Sequence, residues 1–476
     1  MHITNMKRLP GLALAAVALA SVGLAQRPAP GNNVTDLPKL SFEKYTLPNG
    51  LDVILSEDHR LPRVAVNLWY HVGPANEEPG RTGFAHLFEH MMFQGSQNLG
   101  KMEFIKLVQQ NGGILNGSTR FDFTNYFEVL PANKLETALW AEADRMGGLA
   151  VNEDNLKNQQ GVVGNEVKVN VLNRPYGGFP WIDMPMAANT NWYNAHNFYG
   201  DLKDIEAATL TDVQAFFKTY YAPNNAALAI VGDFDATEAK KFVEKYFGPL
   251  KASNLPPQPG LSEPRQEKEK RITKTDPLAK RPAIAVGYHM PERNTPEYYA
   301  MAAIDSMLIE GDDSLLHQEL VQKRGMTGSV NGGINLLGNA YDYNGPMLFI
   351  TNFVYDLSTN PDAILGAIDG VVEPLRMKPV DQKTLDRALV KLRSDLYDTI
   401  GSQGGFGLVD LLASFALFDD NPARVNSLVA EFGKVTPALV QKTAEEYLRP
   451  GNRTVIVLNP QAQTPAGALA APAKNQ

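Results

Sequence analysis

The chain contains no cysteine. Disulfides are therefore excluded as a source of stability, and so is an anchor built on a lipid-modified cysteine, so the fold must rest on buried apolar surface. An excess of one charge is also missing: 44 Lys and Arg stand against 52 Asp and Glu, a formal net charge of −8, and no long run of either sign occurs. Nothing in that balance points to a nucleic-acid binder. Long apolar runs are confined to the first 25 residues, where Lys7 and Arg8 precede "LPGLALAAVALASVGLA". A basic start, a short Ala-rich apolar stretch and small residues at Gly23 and Ala25 read as a cleavable secretory signal, the alternative being a membrane-spanning anchor. Beyond it no stretch reaches the roughly 20 apolar residues needed to cross a bilayer. The expectation is an exported protein of the periplasm or the exterior.

What is present is 476 residues, 44% of them hydrophobic, enough for more than one core. Landmarks recur at an offset of a little over 200 residues. "TLTDVQAFFKTYYAPNNAALAIVGDFD" from Thr209 is echoed by "VTPALVQKTAEEYLRPGNRTVIVLNP" from Val435, each a helical pattern followed by an aromatic, a Pro, an Asn and an apolar strand. "VAVNLWYHVG" from Val64 is echoed by "AIAVGYHMPER" from Ala283, and "KLVQQNGG" from Lys106 by "ELVQKRG" from Glu319. The chain reads as an internal duplication. Strand and helix patterns are mixed rather than strictly alternating, which predicts an α+β fold of two homologous domains, each a mainly antiparallel sheet covered by helices on one face. The expected division is a signal peptide at 1–25, an N-terminal domain at 26–255, a Pro-rich and charged linker at 256–280, a C-terminal domain at 281–460 and a low-complexity, disordered tail at 461–476.

One cluster carries chemistry. "TGFAHLFEHMMFQGS", Thr82 to Ser96, places His86, Glu89 and His90 at i, i+3 and i+4, one face of a helix that Thr82 could cap and Gly95 could stop. Leu87, Phe88, Met91 and Met92 supply apolar flanks that would bury the trio, a costly arrangement that a metal relieves. H-x-x-E-H is the inverted form of the H-E-x-x-H zinc-protease motif. Catalytic zinc takes three protein ligands and a water whose pKa falls to about 7, and a glutamate between the ligands is the right type of group to accept that water's proton. A further acid, Glu166, lies in the helical pattern Glu153 to Leu172 on the same face as Gln159, Val162 and Val163. By residue type alone, an acid on an inward stripe is more often a salt-bridge partner or a misjudged face than a ligand.

These residues, in a duplicated α+β chain that also contains "LPNGLDVILSED", "GGILNGSTRFDFTNYFEVLP" and "YYAPNNAALAIVGDFD", resemble the inverzincin metallopeptidases of the pitrilysin, insulysin and mitochondrial processing peptidase type, in their short two-domain form. The resemblance implies zinc held by His86, His90 and Glu166, with Glu89 as general base for peptide hydrolysis. It implies that Gly112 to Phe127 forms an edge strand on which a substrate peptide adds by backbone pairing. Asn116 and Phe123 are candidate substrate contacts, with a turn residue and a core aromatic as the plain alternatives.

Two departures from the family pattern stand out. Many members carry a second glutamate seven residues before the third ligand, where this chain has Gln159, an amide that can orient a neighbour but adds no charge. In active single-chain or homodimeric members the C-terminal domain carries an Arg and, seven residues on, a Tyr. The matching stretch here, "LVQKRGMTG", puts Val321 and Gly328 at those places, with Arg324 out of register. The C-terminal copy also lacks H-x-x-E-H, having "AAIDSMLIEGDDS" instead. The expectation is a zinc endopeptidase acting on peptides or unfolded segments, as the catalytic subunit of a heterodimer whose homologous, zinc-free partner supplies the Arg and Tyr, a homodimer being second choice. The rival reading is a non-catalytic, zinc-containing assembly or peptide-binding subunit.

Overall fold

The computed structural model describes residues 39–461; the leader segment and most of the predicted tail lie outside them. The described chain is mixed α and β, with two sheets of mostly antiparallel strands. The first sheet is built from β1 (Glu43–Thr46), β2 (Asp52–Glu57), β3 (Arg63–Tyr70), β4 (Ile114–Thr119), β5 (Thr124–Pro131) and β6 (Ala226–Gly232), in the order β1-β2-β6-β3-β5-β4. The second contains β7 (Lys270–Asp276), β8 (Ala283–His289), β9 (Asn331–Ile334), β10 (Leu348–Val354) and β11 (Arg453–Pro460), in the order β7-β11-β8-β10-β9. Apart from the extra β1 the two orders coincide strand for strand. They also share their one parallel pairing, β2 with β6 and β7 with β11. The sequence echoes therefore correspond to one topology used twice.

The segment expected as a linker is only partly one, because Lys270–Asp276 inside it forms β7. "KRITKTD" is an edge strand with mostly exposed side chains, so it carries charge where an inner strand would carry apolar residues. That is why its composition resembles a connector.

The helices that matter here are α1 (Phe84–Met91), α2 (Leu135–Gly148), α3 (Glu153–Val167), α4 (Asp183–Ala188), α5 (Pro296–Leu308), α6 (Gln382–Gly401) and α7 (Phe406–Asp419). One face of the first sheet, with Val64, Val66, Leu68 and Tyr70 from β3, packs into a core shared with α1, α2 and α3. The opposite face is covered as well, by α7 of the second half. Trp69 meets Phe418 edge-on at 5.9 Å, and Asn67 Nδ2 and Trp69 Nε1 donate to Asp410 at 2.9 and 3.1 Å. The second sheet is treated in kind: Phe179, Met184 and Ala188 of the first half pack on Ala283, Ala285, Ile350 and Ile456. Each half thus lends a segment to its homologue's sheet, so both faces of the inner strands are dry and their sequences read as nearly unbroken apolar runs. Small residues make the second contact possible, since a Cβ at Gly287 would lie 2.7 Å from Met184 Sδ.

Candidate metal centre

α1 is fixed at both ends. At its start Gly83 adopts φ 87° and no side chain caps the first turn. The cap expected of Thr82 is absent because Gly83 holds the N-cap position, while the Thr82 hydroxyl accepts from Asp201 N at 2.8 Å and donates to Asp204 Oδ2 at 2.7 Å. The open amides are met instead by buried Glu77, whose two oxygens accept from Gly83 N and Ala85 N at 2.9 Å each; a carboxylate at this end is also favoured by the helix dipole. At its far end Tyr126 Oη donates to Phe88 O at 3.1 Å and Arg145 Nη1 to Met92 O at 3.4 Å. Arg145 is itself buried between the rings of Phe104 and Tyr126 and paired with Glu142.

With α1 held in this way, His86, Glu89 and His90 share the face turned to α3. His86 Nε2 and His90 Nε2 stand 3.2 Å apart, and the Glu166 carboxylate completes the triangle at 3.6 Å from His86 and 3.0 Å from His90. Hydrogen bonds from His86, then from His90, hold the Glu166 carboxyl well below the usual carboxylate range. Ligand atoms about 2.0–2.2 Å from a tetrahedral ion lie roughly 3.3–3.5 Å apart, so these separations fit zinc, and the donor set of two imidazoles and a carboxylate is a zinc set. Among the described residues it is the one group of three or more metal-binding side chains that converge within 4.8 Å. The stripe around Glu166 differs in one respect from the expectation: Gln159 and Val163 face inward, whereas Val162 is 40% exposed.

Among the described residues β4 is the last strand of the first sheet, paired with β5 on one side and with no strand beyond it. It passes directly against α1: a Cβ at Gly117 would lie 3.1 Å from the Tyr126 ring and 3.3 Å from Glu89 Cγ. Glycine at this position lets an open backbone edge run beside the glutamate of the motif. Asn116, next to it, is exposed on that strand.

Two of the expected residues make their contacts elsewhere. Phe123 is buried, stacked on Trp69 with ring centroids 3.6 Å apart and facing Phe418 at 6.1 Å, so it is a core aromatic with no surface left for a substrate. Gln159 is buried beside the centre, but its amide nitrogen donates to Asn158 Oδ1 at 2.8 Å and not to a metal-binding group. In the second half, Val321 lies in a wide helical turn at His317–Lys323, Gly328 is exposed, and Arg324 pairs with Glu319 at 2.6 Å.

Two residues near the centre had no signal in the sequence. His196 stacks on Trp192 at 4.2 Å and lies 3.4 Å from Glu77, behind the start of α1. Tyr199 packs on the His86 ring at 4.7 Å. Both sit in "NAHNFYGD", a loop whose approach to α1 depends on tertiary packing and leaves no periodicity to read.

Comparison with known proteins agrees with this geometry. A family model described as "Insulinase (Peptidase family M16)" matches residues 52–175, and one described as "Peptidase M16 inactive domain" matches residues 207–392. The chain is 28% identical over 469 residues to "Zinc protease PqqE" of Helicobacter pylori, covering 96% of this chain and 99% of that one. It is 23% identical over 293 residues to "Uncharacterized zinc protease YmxG" of Bacillus subtilis, covering 61% of this chain and 69% of the other. The crystal structure of a protease from Helicobacter pylori superimposes with a TM-score of 0.81 at 26% identity, covering 88% of this chain and all of that one. A peptidase M16 inactive domain from Pseudomonas fluorescens gives a TM-score of 0.78 at 19% identity, covering 90% and 100%. The motif residues and Glu166 lie wholly within the range of the first model, and the second begins ahead of β6, which belongs to the first sheet. The chain belongs to peptidase family M16, the insulinase- and pitrilysin-like peptidases, with an N-terminal and a C-terminal M16 domain.

Proposed function

We propose that the chain is an exported zinc endopeptidase that hydrolyses peptides or unfolded segments, with His86, His90 and Glu166 as metal ligands and Glu89 as general base. The observation that carries this reading is the meeting of three metal-binding side chains with an unpaired strand edge, Glu89 lying against Gly117 between the two. Zinc bound there would polarise a peptide carbonyl and lower the pKa of a water to about 7.

The remaining steps belong to the chain's own groups. A peptide laid along β4 as a further strand would be held by backbone pairing, with Asn116 facing it. Glu89 takes the proton of the attacking water and returns it to the departing amine, a role worth about 10²–10⁴ in rate. Glu77 and Arg145 keep α1 still while this happens. An intact base favours catalysis over a purely structural metal, since a structural site has no use for a proton acceptor.

The vacant places at Val321 and Gly328 support a heterodimer in which a homologous, zinc-free chain supplies donors to the substrate carbonyl, each worth roughly 3 kcal/mol in other enzymes. The test uses an unfolded fluorogenic peptide with the purified chain, alone and with such a homologue. Glu89→Gln should retain zinc and lose turnover in both settings, and the homologue should raise the rate of the unaltered chain. Full activity in Glu89→Gln would rule out the general base. A rate indifferent to the homologue would rule out the heterodimer.

A further inference from the structure

The two halves meet at the tip of the hairpin that joins β4 to β5. Arg120 N donates to Phe123 O at 2.8 Å to close the turn, and Asp122 Oδ2 accepts from Asn344 N of the second half at 2.7 Å. Beside this tip a pocket of about 390 Å³, counting the space at its mouth, opens between the halves. Phe121 and Trp181 of the first half and Leu336, Leu337 and Met347 of the second supply most of its walls, and no charged side chain lines it. Two features tie it to the metal centre. The Trp181 ring meets Tyr199 edge-on with centroids 5.4 Å apart, and the Tyr199 ring packs on His86 at 4.7 Å. Phe121 also follows β4 directly, four residues past the Gly117 that sits against Glu89, so a strand paired along β4 would come to the pocket roughly 13 Å from the motif.

One polar atom on these walls is unsatisfied. Asn189 is buried, its Nδ2 donates to Asn194 O at 3.0 Å, and its Oδ1 is left without a donor. The polar neighbours have partners: Asn335 Nδ2 donates to Asn339 O at 3.0 Å, and Tyr343 Oη to Asn194 Oδ1 at 3.4 Å. A buried acceptor with no partner carries a desolvation cost that a ligand's donor would remove. Uncharged apolar and aromatic walls with a single acceptor select a neutral ring that brings one donor. Among peptide side chains tyrosine and tryptophan have that chemistry; phenylalanine lacks the donor, and lysine would bury an unpaired charge.

We infer that this pocket holds a tyrosine or tryptophan side chain of the bound peptide, about four residues from the bond that is cut, with its O–H or N–H donating to Asn189 Oδ1. The inference rests on β4 as the peptide-binding edge proposed above.

The experiment is peptide binding by fluorescence anisotropy on the full chain carrying Glu89→Gln, which is expected to hold peptides without cutting them, and on the same chain with Leu337→Trp or Asn189→Leu added. The probes are dye-labelled unfolded peptides of Gly, Ser and Thr, alike except for one central Tyr, Phe or Lys, with free para-cresol as a competitor. The Tyr peptide should bind at least fivefold more tightly than the Phe and Lys peptides, because it alone satisfies Asn189 Oδ1. Leu337→Trp places an indole of the chain's own in the space and should bring all three peptides within twofold of one another. Asn189→Leu removes the acceptor and should erase the difference between Tyr and Phe. Peptides that bind the Glu89→Gln chain within twofold of one another, while the unaltered chain cuts them, overturn the pocket's role and leave the peptidase reading standing. Binding of para-cresol that Leu337→Trp abolishes, with no preference among the peptides, overturns it in favour of a free small molecule. Neither binding nor cutting of any peptide overturns both readings.

Discussion

The two halves share a strand order and differ at one pair of helices. On α1 the motif reads His86, Glu89, His90 ahead of Met91 and Met92; on α5 the same places hold Ala302, Asp305 and Ser306 ahead of Met307 and Leu308. Glu166 lies fourteen residues past Asn152, the N-cap of α3, and Asp395 lies fourteen past Asp381, the N-cap of α6. The second half has thus kept two acids of the constellation and lost both imidazoles. It closes the gap with a cation of its own: Lys391 Nζ on α6 donates to Glu310 O at 2.8 Å and to Asp313 Oδ1 at 2.6 Å, just beyond α5. In the first half the place of Lys391 is taken by Val162, which is 40% exposed, and Glu166 turns to the two histidines. One scaffold supports either a charge-neutralising lysine or a set of converging donors. Which of the two it supports is decided by a few side chains on two helices and not by the fold.

The largest stability effect is expected at Arg145, which donates to Met92 O at the end of α1. Burial and the neighbouring charge of Glu142 push the Glu128 carboxyl far above its ordinary range, and Arg145 is the cation between them. Arg145→Met should destabilise the protein by about 3–5 kcal/mol in denaturant titration, because it leaves buried acid unpaired; a loss under 1 kcal/mol would show that the pair does not hold the helix. Next is the exchange of segments between halves. Met184 is fully buried on the second sheet, so Met184→Ala should cost about 2–4 kcal/mol even though the residue belongs to the first half. If limited proteolysis instead showed the two halves unfolding independently, the reciprocal packing would be wrong.

The smallest effect is a pH dependence at the place equivalent to Glu89. Burial, then the charge of Glu310, raises Asp305 to about 7. A carboxyl raised in the folded state favours folding below its unfolded value near 4, and that contribution is lost as pH rises toward 7. Asp305→Asn should therefore leave stability unchanged or lower at pH 4 and raise it on the order of 2 kcal/mol at pH 8. Equal effects at both pH values would contradict the buried, protonated acid.

How much of this could be read from the sequence follows the range of the interactions. His86, Glu89 and His90 were legible because they lie within one helical turn and a half, and Glu166 because its family spacing is fixed by one helix packing on another. The duplication was legible in repeated strand-ending patterns, and the structure turned it into matching strand orders. The strand inside the linker was hidden by its charged edge composition. Phe123 was ambiguous because alternation in "TRFDFTNYF" does not say whether the ring, just ahead of β5, turns to a substrate or to Trp69 and Phe418. Thr82 looked like a cap, and only the fold reveals that Asp204 claims its hydroxyl while Glu77 takes over the amides. Tyr199 reaches the centre from a loop with no periodicity, so nothing local announces it.

The first half holds the converging donor set, and among the described residues the second half has none. The most direct measurement is the zinc content of the purified full chain by elemental analysis, beside His90→Ala prepared in the same way. One zinc per chain is expected in the unaltered protein and none in His90→Ala, with Lys391 and its acids binding no second ion. Two zinc ions per chain, or one that survives His90→Ala, would contradict that expectation.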